Sequence, residues 1–142
     1  MRFMMLVRAD DDTEAGVLPT KEMIDAMDKY NDELVKAGVL LAADGLHPSS
    51  KGASVSYSGG RPTVTDGPFA EAKELIAGYW LIQASSKEEA VQWATRVPFD
   101  EGTVEVRQVF DAADFPPEIL SPEIAAKEQA WQEQQLRNAP KA

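Results

Sequence analysis

The segment "IAGYWLIQA", residues 76–84, is apolar almost without interruption and rich in aromatic and β-branched side chains. A run this short and this continuous is expected to be a strand buried on both faces, at the centre of a sheet. On its C-terminal side Ser86 and Glu89 have the spacing of a capping box, opening a helix whose apolar side holds Ala90, Val91, Trp93, Ala94 and Val97 before Pro98 stops it. "TVEVRQVF" (103–110) then alternates as a last strand. On the N-terminal side "ASVSYS" (53–58) and "PTVT" (62–65) flank Gly59-Gly60, the signature of a hairpin. Its thin, polar outer surface places it at a sheet edge.

Farther out, "RFMMLVRA" (2–9) is a second buried strand, followed by an acidic turn, "DDDTEAG". From Thr20 to Ala37, Met23, Ile24, Met27, Tyr30, Leu34 and Val35 form one helical stripe. Thr20 is placed to cap this helix and Gly38 to end it, and Asp25/Lys29 and Asp32/Lys36 are spaced for pairs on its wet side. "VLLAA" (39–43) is the next strand. Without the hairpin the order is βαββαβ, the α+β, ferredoxin-like arrangement of an antiparallel sheet with two helices on one face. The other face of such a sheet is left bare, although two of its strands read as buried on both sides. The expected cover is a second copy, sheet against sheet, in a homodimer.

Residues 1–113 thus form one domain. Residues 114–142 are a mostly helical extension, in which "DFPPE" is a spacer, Ser121-Pro122 a helix start and Ile124, Trp131 and Leu136 a narrow apolar stripe. This helix is expected to dock through Trp131, on its own domain or on a protein partner.

The chain has no cysteine, which removes disulfides, thiolate zinc sites and a cysteine nucleophile. Its one histidine, His47, cannot build a multi-histidine metal site, and no cofactor motif is present, so neither metal nor cofactor is expected. A net charge of −10 repels phosphate backbones and disfavours direct nucleic-acid binding. The apolar run at the N-terminus is shorter than a secretory core and no run reaches spanning length, so a cytoplasmic protein without a membrane partner is expected.

Chemistry concentrates at "TVTDGPFAEAKE", residues 63–74. Asp66-Gly67-Pro68 is sufficient as a turn, with Asp66 bonding nearby amides. The same Asp66 stands beside Phe69 and a cluster of Glu71, Lys73 and Glu74, a setting in which a carboxylate can act as a base. His47, in "DGLHPSS", is either an ordinary loop histidine or an acid/base group.

"YNDELVKAGVLLAADGLHPSSKGASV", "GGRPTVTDGPFAEAKELIAGYWLIQASSKEEAVQWA" and "VEVRQVF" together resemble the DGPF branch of the YCII-related proteins, over residues 2–111. The resemblance implies a ferredoxin-like fold of the dimeric α+β barrel group. Members are mostly uncharacterised. A His and Asp pair has suggested an enzyme, some relatives are lyase-like, and in this branch the genes often accompany alternative sigma factors. The family aspartate falls on Asp66, whereas the family histidine falls at Tyr30. The implied function is a small-molecule enzyme working by acid–base chemistry, a lyase or isomerase, with Asp66 and His47 catalytic and Tyr30, Gly67, Phe69, Lys73 and Glu74 around a pocket between the sheet and the first helix. The alternative is a non-catalytic interaction or regulatory module.

Overall fold

The structure is a computed structural model that describes residues 1–70 and 74–142. Its main sheet has four strands, β1 (Arg2–Arg8), β2 (Leu40–Gly45), β5 (Ile76–Gln83) and β6 (Val104–Gln108), in the order β2-β5-β1-β6, with every neighbouring pair antiparallel. With α2 (Lys21–Lys36) between β1 and β2, and α3 (Lys87–Thr95) between β5 and β6, this is the ferredoxin-like α+β arrangement. The two inner strands are β1 and β5, the two most continuously apolar segments, because only a strand paired on both edges can hide its whole backbone beneath such side chains.

One face of the sheet meets the helices. Alternation along the paired strands puts Phe3, Met5, Trp80 and Ile82 there, joined by Tyr30 and Leu34 of α2 and Ala90 of α3, all buried. Both helices begin as their sequences require: the Thr20 hydroxyl accepts from the Met23 amide and that of Ser86 from the Glu89 amide. The capping box at Ser86 is only half made, since the Glu89 carboxylate turns back to the amide and hydroxyl of Ser85. These bonds hold the Glu89 carboxyl below the usual range.

Four local expectations are corrected. The acidic turn contains a single helical turn, α1 (Asp11–Glu14), closed by a capping box between Asp10 and Thr13. Met23 and Ile24, at the outer end of the α2 stripe, stay exposed because the sheet does not extend beneath them. Asp25 pairs with Lys21, one turn earlier, rather than with Lys29. The hairpin of β3 (Ala53–Ser58) and β4 (Arg61–Asp66) forms a separate two-stranded sheet instead of lying at the edge of the main one. It carries Ala53, Val55, Tyr57, Pro62, Val64 and Asp66 on one face and serine and threonine on the other, and both strands are exposed almost throughout.

The second face of the main sheet carries Met4 and Leu6, half-buried, and Leu81, buried. Arg2 at its margin donates to the Phe110 carbonyl and to Gln135 of the C-terminal helix α4 (Pro122–Arg137). α4 also rests on the short 3-10 turn at Ala112–Asp114. The side it turns inward is Ala125, Glu128, Gln132 and Gln135, while Trp131 remains 63% exposed. Docking of this helix on its own domain therefore uses a polar and alanine stripe and not Trp131. No helix among the described residues is long and apolar enough to cross a membrane.

Candidate functional site

Three segments distant in the chain meet at one corner: the end of α1, the loop after β2, and the turn at Asp66–Phe69. Ser49 is the joint. Its side chain is tucked in, with the residue 9% exposed, and the Glu14 carboxylate accepts from both the Ser49 amide (3.0 Å) and the Ser49 hydroxyl (2.5 Å). The same hydroxyl oxygen accepts from the Phe69 amide at 2.9 Å. One carboxylate therefore fixes a serine, and the serine fixes the motif.

Gly67 completes the joint. Its amide donates to the Gly52 carbonyl at 2.9 Å, and a Cβ placed on it would lie 1.7 Å from the Ser49 carbonyl oxygen. Glycine is required there for space rather than for conformational freedom. The Gly67–Pro68 peptide is cis.

Asp66 and His47 sit on this pinned backbone. Asp66 is the last residue of β4, opposite Ala53, and its side chain lies on the apolar face of the hairpin. It is exposed, and among the described residues its carboxylate makes no hydrogen bond, so the turn is held by Ser49 and Gly52 and not by the Asp66 side chain. His47 is also exposed, two residues before Ser49 in the loop that Gly67 packs against. Phe69 is half-buried at the corner and Glu74 is exposed just before β5. Lys73 lies outside the described residues.

Tyr30 belongs elsewhere. It is 3% exposed, its ring meets Trp80 edge-on at 5.4 Å between centroids, and its hydroxyl donates to the Trp93 carbonyl at 2.7 Å. Burial, opposed by nearby Arg96 and aided by Glu33, raises its phenol to about 12. This is a neutral core tyrosine linking α2 to α3, which takes it out of the expected pocket. A concavity of about 550 Å³ does occur, but between α3 and β6, lined by Val91, Val97, Phe99 and Val104.

Glu14 and Ser49 were not singled out in the sequence. Glu14 sits in an acidic run that reads as solvated surface, and Ser49 in a loop with two serines. The one signal available was the position of Glu14 at the end of a capped turn, and it does not identify its partner 35 residues away. Among the described residues there is no group of three or more His, Asp or Glu placed to hold a metal ion.

Comparison with known proteins gives a match to the YCII-related domain over residues 1–113. An uncharacterised protein of Rhizobium meliloti (strain 1021) is 42% identical over 60 residues, which is 42% of this chain and 48% of that protein. The match thus spans about half the length of that relative. Among solved structures, the 5-chloro-2-hydroxyhydroquinone dehydrochlorinase of Burkholderia phenoliruptrix AC1100, in complex with 2,5-dihydroxybenzoquinone, aligns over 82% of this chain and 100% of its own, with 11% identity and a TM-score of 0.40.

Proposed function

The chain belongs to the YCII-related family, and from that premise we propose that the corner at Asp66 is the site of a small-molecule acid–base reaction. The observation that carries this reading is a contrast. The backbone of the motif is held by Glu14, Ser49 and Gly52, while the Asp66 carboxylate and the His47 imidazole project from it with no hydrogen bond among the described residues. A fixed base with unspent acceptors is what proton abstraction needs.

The reaction class is proton transfer next to a carbonyl. Asp66 takes the proton from the carbon beside the carbonyl, the C–H electrons form the new C=C bond, and the carbonyl oxygen takes a proton supplied by His47. Reprotonation at another carbon gives isomerisation, and loss of a β-substituent gives elimination. Phe69 supplies an apolar wall. Tyr30 has no part in it, and no metal or cofactor enters these steps. Pairing of two copies through the face carrying Met4, Leu6 and Leu81 supports the site by covering that apolar surface. A monomeric mass by sedimentation equilibrium would remove this part of the reading.

The test is deuterium exchange, followed by proton NMR in heavy water, over a panel of small enolisable keto acids. Asp66→Asn is expected to lower the exchange rate by about 10²- to 10⁴-fold, with an unchanged thermal midpoint because Asp66 is exposed and its carboxylate makes no hydrogen bond among the described residues. Exchange that is equal in the variant, or no faster than buffer for every compound, overturns the assignment.

A further inference from the structure

The hairpin of β3 and β4 has two outer edges, and they differ. The Gly67 amide bonds the Gly52 carbonyl one step below the ladder pair of Ala53 with Asp66. Hydrogen-bonded and non-bonded pairs alternate along an antiparallel ladder, so Ala53, Val55 and Tyr57 aim their backbone N–H and C=O groups outward from β3, as Pro62, Val64 and Asp66 do from β4. Pro62 has no N–H to offer, which blunts the β4 edge. The β3 edge carries neither proline nor charge, and among the described residues no other strand pairs with it.

Three features select a second β3 as its partner. The edge is self-complementary: a two-fold axis at Val55 sets Val55 against Val55 of the second copy and Ala53 against Tyr57, a small side chain against a large one, and every outward N–H and C=O of the three residues finds a mate. Residues 45–65 hold none of the 24 acidic side chains, so the repulsion between two chains of net charge −10 is weakest here. A lone two-stranded hairpin is marginal in water, and this one leaves Val55, Tyr57 and Val64 exposed on its apolar face; pairing makes it four strands wide.

We propose that β3 of one copy pairs antiparallel with β3 of a second copy and so completes the Asp66 site, the second half of which rests on the acid–base reading above. Asp66, Ala53 and the partner's Tyr57 then stand in one row on one face of the joined sheet. Two strand spacings put about 10 Å between the Asp66 and Tyr57 backbones, with only the Ala53 methyl between them. The ring of the partner's Tyr57 leans over that alanine and walls the site, and its hydroxyl donates to an oxygen of the bound keto acid. A single copy has Asp66 without this wall.

The absence of cysteine makes the test direct. Under mild oxidation Val55→Cys should form a disulfide-linked dimer about tenfold faster than Val64→Cys or more, because paired Val55 Cα atoms lie about 5.5 Å apart, within disulfide reach, and the Val64 pair about 14 Å apart. Ala53→Cys mixed with Tyr57→Cys should link the two different chains, whereas neither links to itself. All three positions are exposed, so the fold tolerates the substitutions. A Val55→Cys rate no greater than that of Val64→Cys overturns the pairing, as association through the Met4, Leu6 and Leu81 face or hairpin stacking face to face would give. Failure of the mixed pair overturns the register and with it the place of Tyr57. With a keto acid that exchanges, Tyr57→Phe should raise KM by about 2- to 10-fold, and an unchanged KM removes the phenol from the site. The disulfides form whether or not Asp66 acts as a base, so failure of the pairing and failure of the acid–base reading are told apart.

Discussion

Ser49→Ala removes one hydroxyl and breaks two hydrogen bonds of opposite direction. The hydroxyl donates to the Glu14 carboxylate and accepts from the Phe69 amide. A hydrogen bond to a charged group contributes about 1.5–3 kcal/mol, and an amide left without an acceptor costs about 1–3 kcal/mol when buried. The Ser49 amide keeps its own bond to Glu14, so the loop stays partly anchored. Because the corner is only partly buried, water compensates some of the loss, and the expected destabilisation is about 2–3 kcal/mol. For a chain of 142 residues each kcal/mol moves the thermal midpoint by about 3 °C, so a drop of about 6–9 °C is expected. Calorimetry measures this. Amide hydrogen exchange supplies the local readout, in which Phe69 should lose protection while the β1–β5 amides lose only what the global drop dictates. A midpoint within about 2 °C of the parent, with Phe69 protection unchanged, would refute the claim that Ser49 holds the motif.

Gly67→Ala should cost about 3 kcal/mol or more by forcing the Ser49 carbonyl aside, read as a lower urea midpoint; an unchanged midpoint would mean that the two segments are not in contact. The raised Tyr30 phenol stabilises the fold up to about pH 10, and this contribution is lost as the pH rises from about 10 to about 12. Linkage gives a loss of about 2 kcal/mol at about pH 11.5, which denaturation at two pH values should find in the parent and not in Tyr30→Phe. Ser85→Ala should let the Glu89 carboxyl titrate closer to its ordinary value, as followed by carbon NMR; no movement would mean that the Ser85 hydroxyl does not hold it down, since the amide bond remains.

The main sheet was legible because β1 and β5 combine unbroken apolar runs with clear boundaries, and burial on two faces leaves few other positions for them. The α2 stripe marked Tyr30 and Leu34 correctly as core, but it also included Met23 and Ile24, since helical periodicity does not report where the underlying sheet ends. The hairpin register was readable from Gly59-Gly60, whereas its detachment from the main sheet depends on the path of the chain after Gly45 and has no local signature. At the candidate site, Asp66, Gly67 and Phe69 stood out as a motif. Their anchors did not, because Glu14 and Ser49 act through contacts made only in the folded chain, and neither residue type is unusual on a surface. Tyr30 was assigned to the pocket as well as to the stripe for a related reason: a tyrosine at a helix position facing the sheet serves a core as readily as a pocket, and its bond to the Trp93 carbonyl decides between them.

The Glu14–Ser49–Phe69 joint also constrains the order in which the molecule assembles. The joint connects residues 35 and 20 positions apart, whereas the main sheet pairs residues as distant as Arg2 with Gln83 and Phe3 with Gln108. Closing the shorter spans costs less chain entropy, so the corner can assemble before the main sheet closes. Damage to the joint should therefore appear in the refolding arm of a chevron plot, with unfolding little hastened. A ligand bound at the corner that presents Asp66 would then hasten formation of the native state as well as stabilise it.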